Sequence, residues 1–410
     1  MAISIAIIGG GIGGLAAALE LLRAGFDVHV YEQTAELGEV GAGLVIGPNA
    51  SRLLIRLGLD GELSKIAVRP AAFHQRRWQD GRTLAYSRLA DATLARFGAP
   101  HYVFHRGELH AVLAQALPPE RVHLGYRCTG FTDRGDRVEA QFENGAKIAA
   151  DILIGADGIH STIRLALLGP ERPRFTGCVA YRGLLPAERV AHLGIDNAAN
   201  NWMGPGRHFV HYFVASGRLL NFVGLLEQDT WIKESWTEPG DVADLAAAYS
   251  GFAPQVRGII AAADKVFKWA LLDRMPLPRW SFGRVTMLGD ACHPMLPFLG
   301  QGAGQAIEDG AALTACLQKH GDDVIAALEL YQAVRIPRSA RCQAQSRDNM
   351  TRFHLPDGPE QHERDAKMAT GTTDWAQQAI AWLYEHDASV LPEPPSERPS
   401  WASGDTSPGH

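Results

Sequence analysis

Residues 3–14 of the chain read Ile-Ser-Ile-Ala-Ile-Ile-Gly-Gly-Gly-Ile-Gly-Gly. The β-branched run up to Ile8 predicts a short buried strand of a parallel sheet, and the glycines after it predict a tight turn. The Ala- and Leu-rich residues 12–24 predict a helix, which Gly25 ends. A second strand is predicted over residues 28–31. Together these elements form a βαβ unit of about thirty residues, which is typical of dinucleotide-binding proteins.

The glycines of this turn have distinct roles at a dinucleotide. Gly9 permits the turn from strand to helix, Gly11 lets the main chain approach a pyrophosphate, and Gly14 lets helix and strand pack closely. The helix N-terminus presents N–H groups and partial positive charge to the phosphates. Glu32 can accept hydrogen bonds from an adenosine ribose. The candidate residues of this unit are Gly9, Gly11, Gly13, Gly14, Glu32 and Gln33. The alternative is a core helix rich in Ala and Gly that binds nothing.

Two motifs that combine glycine and aspartate lie far downstream. The first is Gly155-Ala-Asp-Gly158, which follows the apolar residues 152–154. An Asp-Gly pair after a strand is often only a turn. The second is Gly289-Asp-Ala-Cys-His-Pro294. Asp290 and His293 have a spacing that could chelate a metal, but nothing nearby in the sequence supplies a third ligand, so we predict no metal site.

In this order, and after the N-terminal glycine motif, the two motifs resemble those of the FAD-dependent aromatic hydroxylases, the class A flavoprotein monooxygenases. The resemblance covers residues 1 to about 345. It implies FAD as the cofactor, NADH or NADPH as a transient co-substrate, and dioxygen activated as a flavin C4a-hydroperoxide. The sequence has no second Gly-x-Gly-x-x-Gly motif to hold the nicotinamide nucleotide, which is typical of that class.

The same resemblance assigns residues to the flavin. Asp157 would help to hold the flavin and the incoming nicotinamide nucleotide, and Asp290 would bind two hydroxyls of the ribityl chain. The helix opened by the glycine-rich residues 300–304 would direct its positive end at the flavin. Arg106 would also contact the flavin, and the alternative for this residue is a solvated arginine at the start of a helix. The residues assigned to the flavin are Val45, Arg106, Asp157, Asp290, Pro297, Gly302, Ala303 and Gly304.

Within the family, the pattern is most similar to hydroxylases of the salicylate 1-monooxygenase type. A salicylate-like acid would lose its carboxyl group as CO2 and yield a catechol. Hydroxylases of 6-hydroxynicotinate and 3-hydroxybenzoate are close alternatives. The first carry a histidine where Val45 stands, and the second tend to carry a glutamine where Pro297 stands. The sequence does not choose between decarboxylative and plain hydroxylation.

Three residues are candidates for contact with the substrate. An electrophilic oxygen attacks a phenolate more readily than a phenol, so the site must favour deprotonation and exclude water. His211 and Tyr212 are the candidate phenol contacts, and a histidine accepts protons near neutral pH. Arg182 could bind a carboxylate in bidentate fashion. The alternatives are the polar face of a strand for the first two residues, and a contact to FAD or a loop for Arg182.

Composition restricts the class of protein further. The chain has 410 residues and a net charge of −6, which gives it no general attraction to nucleic acid. No segment reaches the ~20 apolar residues needed to cross a bilayer. The five cysteines are odd in number and lack CxxC spacing, which predicts no disulfide framework and a cytoplasmic protein. We expect a small aromatic acid and dioxygen as partners, neither nucleic acid nor membrane, and a monomer or homodimer.

These elements predict an α/β fold: a Rossmann-type FAD-binding domain with an inserted mixed-β-sheet substrate domain and C-terminal helices. The predicted FAD-binding domain is discontinuous and comprises residues 1–70, 98–170 and 277–345. The remaining predicted parts are a substrate domain over 71–97 and 171–276, a C-terminal helical segment over 346–390 and a disordered tail over 391–410.

Two other functions are compatible with parts of this pattern. A halogenase or an isoprenoid-chain reductase would share the fold, but the sequence lacks the Trp-x-Trp-x-Ile-Pro stretch of tryptophan halogenases. A nucleotide-binding module that senses redox state without catalysis is the second, and the complete set of three motifs argues against it. Oxygen uptake that depends on an added phenol would distinguish a hydroxylase from both of these alternatives.

Overall fold

The computed structural model describes residues 2–38, 42–228, 239–370 and 379–392. Within them the strands are, in chain order, β1 (Ser4–Ile8), β2 (Asp27–Glu32), β3 (Gly43–Ile46), β4 (Ala72–Arg77), β5 (Thr83–Arg88), β6 (Tyr102–His105), β7 (Val122–Leu124), β8 (Cys128–Asp133), β9 (Val138–Phe142), β10 (Lys147–Ala150), β11 (Ile152–Gly155), β12 (Arg174–Pro186), β13 (Ala199–Gly204), β14 (Arg207–Val214), β15 (Leu219–Glu227), β16 (Pro239–Gly240), β17 (Val266–Asp273) and β18 (Val285–Met287). The helices are α1 (Ile12–Arg23), α2 (Pro48–Arg56), α3 (Asp60–Ile66), α4 (Asp91–Phe97), α5 (Arg106–Gln115), α6 (Thr162–Leu168), α7 (Val242–Ala248), α8 (Pro254–Ala261), α9 (Gly302–His320), α10 (Val324–Phe353), α11 (Pro359–Thr370) and α12 (Ala381–Tyr384). The predicted disordered tail lies outside the described residues from 393 onward.

The predicted βαβ unit is present, and β1 lies at the centre of a parallel sheet. Over the described part of the chain, the order of this sheet is β18-β11-β1-β2-β7. Ile5 pairs with Val28 on one side and with Ile152 on the other. Because β1, β11 and β18 are neighbours, the three motifs that follow them open on the same edge of the sheet. The sheet topology therefore brings together stretches that are far apart in sequence.

Small residues let two helices approach each other behind this edge. A Cβ atom on Gly310 of α9 would lie 2.7 Å from the Cα atom of Ala17 of α1. A Cβ atom on Gly13 would lie 2.9 Å from the Cβ atom of Ala306. Gly13 therefore serves helix packing, and α9 is held directly beside the first glycine motif.

The second large sheet is mixed, which confirms the predicted fold class. In the described chain its order is β16-β17-β12-β15-β14-β13-β4-β5. β13 pairs with β4 in parallel, and the other pairings are antiparallel. These strands come from the stretches predicted for the substrate domain, while the limits of the domains stay a prediction.

This sheet has two faces with different neighbours. On the outer face, residues such as Phe209 and Phe222 pack with Leu245 of α7 and Val256 of α8. On the inner face, Ala180 and other side chains pack with Leu296 and Phe298, and a further group packs with Val103 of β6. Because successive side chains of a strand alternate between faces, neighbouring residues of one strand have different surroundings.

The longest helix runs past the predicted domain boundary at residue 345. α10 continues through Pro337 to Phe353. A proline inside a helix removes one backbone hydrogen bond and disfavours the turn that precedes it. The buried partners of Arg335 and Arg338 hold both sides of the proline in place. No helix among the described residues is both long and apolar enough to span a membrane.

Candidate functional site

The turn between β1 and α1 depends on backbone approaches that only glycine allows. Gly9 has a φ of +113°, and its N–H donates to the Tyr31 carbonyl over 2.9 Å. A Cβ atom on Gly9 would lie 2.4 Å from the Ala156 carbonyl oxygen, and one on Gly14 would lie 2.1 Å from the Gly9 carbonyl oxygen. A Cβ atom on Gly11 would meet no described protein atom within 4 Å. Space for a phosphate therefore remains at the N-terminus of α1.

The carboxylate of Glu32 completes this turn. Its Oε2 atom accepts a hydrogen bond from the Gly10 N–H over 2.7 Å, and its Oε1 atom accepts one from the Thr34 N–H over 2.9 Å. Glu32 is half-buried, so its remaining lone pairs can still accept from a ribose hydroxyl. Gln33, the next residue, is exposed at the edge of the sheet.

Asp157 holds the start of a helix. Its Oδ2 atom accepts from the N–H groups of Thr162 at 2.7 Å and Ile163 at 3.2 Å, and its Oδ1 atom accepts from the Ser161 hydroxyl at 2.5 Å. Burial raises the pKa of Asp157, while these hydrogen bonds lower it. The carboxylate thus binds the N-terminus of α6, which fits a positioning role better than the predicted direct contact with a flavin.

The loop after β18 carries the third motif into an enclosed cleft. The Leu288 N–H donates to the Gly155 carbonyl over 3.0 Å, which joins this loop to the second motif. Asp290 lines a cavity of about 160 Å³ together with Trp269 and Pro297. Its side chain is open to that space. The protein around the cavity raises the pKa of the Asp290 carboxyl by desolvation, against the attraction of His293 and Arg106.

A buried charge network fixes the same loop from within the protein. His293 Nε2 lies 2.6 Å from Asp309 Oδ2, which also accepts from the Gly289 N–H over 2.9 Å. Arg335 donates to Asp309 Oδ1 over 2.7 Å and to Glu308 Oε2 over 2.6 Å. Burial alone would raise the pKa of Asp309, but His293 and Arg335 hold it at about 2. All five residues are buried, so the network positions the loop.

Three side chains of this region could approach a metal ion. The ligand atoms of Cys292, His293 and Asp309 lie within 4.8 Å of one another. Metal binding requires a deprotonated thiol, and burial raises the pKa of Cys292 well above its usual value. Asp309 is already paired with Arg335. We therefore assign no metal to this group.

The other residues assigned to the flavin surround the cleft. Pro297 is exposed and begins a short 3-10 turn. Gly300 has a φ of +64°, and a Cβ atom on it would lie 3.4 Å from the Cβ atom of Val45. Gly302, Ala303 and Gly304 form the first turn of α9. A Cβ atom on Gly302 would meet no described atom within 4 Å, so this helix start is also open to a ligand.

Two arginines add positive charge beside the cleft. Arg106 begins α5, and its N–H donates to the Ala42 carbonyl over 2.8 Å. The guanidinium of Arg182 lies 4.7 Å from the centre of the Trp269 ring. Burial, with repulsion from Arg106, lowers the pKa of Arg182 to about 10. Arg182 Nε is buried and has no hydrogen-bond partner among the described residues. An anionic ligand would satisfy both the charge and the unpaired N–H.

His211 and Tyr212, the other two residues predicted to contact the substrate, lie on opposite faces of the mixed sheet. Tyr212 lies on the inner face beside Val103, and burial raises its pKa against the attraction of Arg182. His211 is fully buried and accepts a hydrogen bond from Trp202 over 3.0 Å among the aromatic side chains of the outer face. The proposed contact of His211 with the substrate stays a prediction that this placement does not favour.

Several residues of the site could not be selected from the sequence. Trp269 lines the cavity, and the inner face also carries Asn201 and Gln75. Asparagines disfavour strands, so residues 199–204 gave no strand signal. The adjacent acids Glu308 and Asp309 within an apolar helix were a signal for the buried network, because such charges need partners.

The donors and spaces present fit a flavin dinucleotide. The open N-terminus of α1 suits a pyrophosphate, Glu32 suits a ribose, and Asp290 suits ribityl hydroxyls. The inner face of the mixed sheet adds an arginine and a tyrosine next to the cleft. Chemically, the arrangement can bind an anionic aromatic molecule against a flavin in an enclosed space.

Known proteins share this sequence and architecture. A family model described as FAD binding domain matches residues 2–346. The chain is 42% identical to 3-amino-4-hydroxybenzoate 2-monooxygenase PtmB3 of Streptomyces platensis, over 94% of this chain and 97% of that protein. It is 40% identical to 6-hydroxynicotinate 3-monooxygenase of Bordetella bronchiseptica, over 84% and 91%. A salicylate hydroxylase substrate complex superposes with a TM-score of 0.80 at 26% identity, covering 95% and 98% of the two chains.

Proposed function

We propose, from the premise that this chain belongs to the FAD binding domain family and is a FAD-dependent aromatic monooxygenase, that its substrate is a phenolic acid of the hydroxybenzoate type. The observation that carries the proposal is the half-buried Arg182, whose Nε atom is buried and lacks a partner among the described residues. A guanidinium binds a carboxylate through two parallel hydrogen bonds, so an aromatic acid is the ligand that this residue suits.

We assign the FAD to the cleft at the edge of the parallel sheet. The adenosine and pyrophosphate side would be held by the turn of Gly9, Gly11 and Gly14 and by Glu32 and Gln33, while Gly13 packs α1 against α9. The ribityl and ring side would be held by Val45, Arg106, Asp290, Pro297, Gly302, Ala303 and Gly304, with Asp157 positioning the second motif. Bound FAD, reduced by NADH or NADPH, supplies the activated oxygen.

The protein's own contribution is to orient an anion and exclude water. Arg182 holds the carboxylate, and the apolar residues around it keep the pair desolvated. Because burial raises the pKa of Tyr212, its hydroxyl remains protonated at neutral pH and can donate to an anionic oxygen of the substrate. Stabilising the phenolate in this way makes the ring a better nucleophile.

Two outcomes are compatible with such a site. Plain hydroxylation adds oxygen at a ring CH, and we favour it because the 3-amino-4-hydroxybenzoate enzyme covers nearly all of this chain at 42% identity. Decarboxylative hydroxylation of a salicylate-like acid is the second candidate, favoured by the similarity to the salicylate hydroxylase structure. The two differ in whether the product keeps the carboxyl group.

The test is a panel of acids with the FAD-loaded enzyme: 3-amino-4-hydroxybenzoate, 4-hydroxybenzoate, 3-hydroxybenzoate, salicylate and 6-hydroxynicotinate. We expect at least one hydroxybenzoate to stimulate NAD(P)H oxidation and oxygen uptake, and mass spectrometry of the product shows whether CO2 is lost. Arg182→Met should retain FAD but lose the stimulation, while Arg182→Lys should keep part of it. Equal stimulation by a neutral phenol that lacks the carboxylate would refute the proposal.

A further inference from the structure

One row of directly paired residues crosses the inner face of the mixed sheet. Arg182 pairs with Val223, Val223 with Val210, Val210 with Asn201, and Asn201 with Gln75. Neighbouring strands lie about 4.8 Å apart, so three steps separate the Cα atoms of Arg182 and Asn201 by about 14 Å. Two valines lie between Arg182 and Asn201 on this face, while the Arg182 guanidinium extends to the Trp269 ring on β17, the other neighbour of β12.

The packing above the two valines is open. Val210 and Val223 lie on central strands of the sheet, yet both are only half-buried. On the outer face of the same strands, Phe209 and Phe222 are completely buried. Since the inner face points into the molecule, the accessible surface of the two valines belongs to an internal space. They form an apolar floor on which a flat ring can lie.

The far end of the row carries an amide pair. Asn201 Nδ2 donates to Gln75 Oε1 over 3.1 Å. Asn201 Oδ1 is buried and has no partner among the described residues, and the Gln75 amide nitrogen donates to no described acceptor. A buried acceptor without a partner is unfavourable unless a ligand supplies a donor. If both side-chain amides are rotated by 180°, Gln75 donates to Asn201 instead. One donor and one acceptor again face the space without a partner.

We infer that Asn201 and Gln75 determine the substrate, which is an aromatic acid carrying a hydrogen-bond donor next to an acceptor at the end of the ring away from its carboxylate. An amino group beside a hydroxyl has this chemistry. The ring lies over Val210 and Val223, with its carboxylate at Arg182. This inference rests on the proposed function, because it requires an aromatic acid in the site.

The experiment compares two acids that differ only in the amino group, 3-amino-4-hydroxybenzoate and 4-hydroxybenzoate. Their Kd values for the FAD-loaded enzyme are measured from the change in flavin absorbance. We expect the wild type to bind 3-amino-4-hydroxybenzoate about tenfold more tightly than 4-hydroxybenzoate. This factor corresponds to one net hydrogen bond in a buried site. Asn201→Leu, which keeps the volume but removes the acceptor, should abolish this preference, so that the two acids bind with similar Kd values.

A second variant and a control complete the design. Gln75→Met, at a half-buried position, should also reduce the preference, and it provides the test if Asn201→Leu loses its FAD. Asn197→Leu removes a surface asparagine that donates to the Arg69 carbonyl outside the row, and it should keep the tenfold preference. An unchanged preference in both row variants, or no preference in the wild type, would overturn the inference while leaving the proposed function intact. If no aromatic acid binds the wild type, the proposed function itself fails.

Discussion

His211 and Tyr212 are adjacent on β14 but point to opposite faces of the mixed sheet. Tyr212 packs beside Val103 on the inner face, whereas His211 accepts a hydrogen bond from Trp202 on the outer face. Burial lowers the pKa of His211 to about 3, so it is neutral at physiological pH. If the substrate lies on the inner face, as we propose, Tyr212 can contact it and His211 cannot.

Replacing His211 should therefore leave catalysis intact. We expect His211→Gln, which can still accept from Trp202, to form one product per NAD(P)H oxidised, as the wild type does. Tyr212→Phe, the matched variant on the inner face, should raise KM or increase uncoupled oxidation. Coupling is measured as product formed per NAD(P)H consumed with each acid that stimulates turnover. Uncoupling in His211→Gln would restore the histidine to the mechanism.

The same histidine should make stability depend on pH. In the unfolded chain its pKa is about 6.5, whereas in the fold it is about 3, so between these values only the unfolded state binds the proton. Stability is therefore lost as pH falls below about 6.5, by about 2 kcal/mol between pH 6.5 and 5 from this residue. Urea unfolding of the wild type and His211→Gln at both pH values should show a smaller loss in the variant. Equal losses would contradict the buried, neutral histidine.

The buried network around α9 should dominate the stability of the loop that carries Asp290. Arg335→Met leaves Glu308 and Asp309 buried with fewer partners, which should lower the free energy of unfolding by about 3–5 kcal/mol. Arg189→Met breaks a surface pair with Asp264 that solvent screens, so it should cost far less than Arg335→Met. Denaturant unfolding of the FAD-free proteins measures both. Similar costs for the two variants would show that the network contributes little.

The open space at Gly11 predicts a separation of folding from cofactor binding. Gly11→Ala should leave the melting temperature of the FAD-free protein unchanged but weaken FAD binding, because the added methyl group meets cofactor and not protein. Gly9→Ala should lower the melting temperature as well, because its backbone has a positive φ and contacts Ala156. Flavin retained per protein and thermal unfolding are the two readouts. A loss of fold in Gly11→Ala would place protein atoms in that space.

A variant of Asp157 tests whether this residue positions α6 or contacts the flavin directly. If it caps α6, Asp157→Ala should lower the stability of the FAD-free protein by about 1 kcal/mol. A residue that only touches the flavin would change FAD affinity with no effect on the FAD-free form. Unfolding of the variant with and without FAD distinguishes the two roles.

The sequence predicted those residues that the local backbone geometry of a cofactor-binding turn requires. The spacing of Gly9, Gly11 and Gly14 after a β-branched run indicated the turn, and the order of the three motifs indicated the family and the FAD. It also predicted the mixed sheet, while the contact of Arg182 with the substrate stays a prediction. Such features are readable because the cofactor imposes the same local geometry wherever it is bound.

Other features depend on which strands become neighbours. The sequence predicted a common role for His211 and Tyr212, but strand alternation within one particular sheet separates them. It gave no reason to choose Asn201 or Gln75, since their pairing requires the parallel contact of β13 with β4. By itself the sequence determined the cofactor and the fold class, because these follow from short-range turns and patterns. Only the tertiary structure decided which polar groups share an enclosed face, because burial and missing hydrogen-bond partners arise from contacts between distant segments.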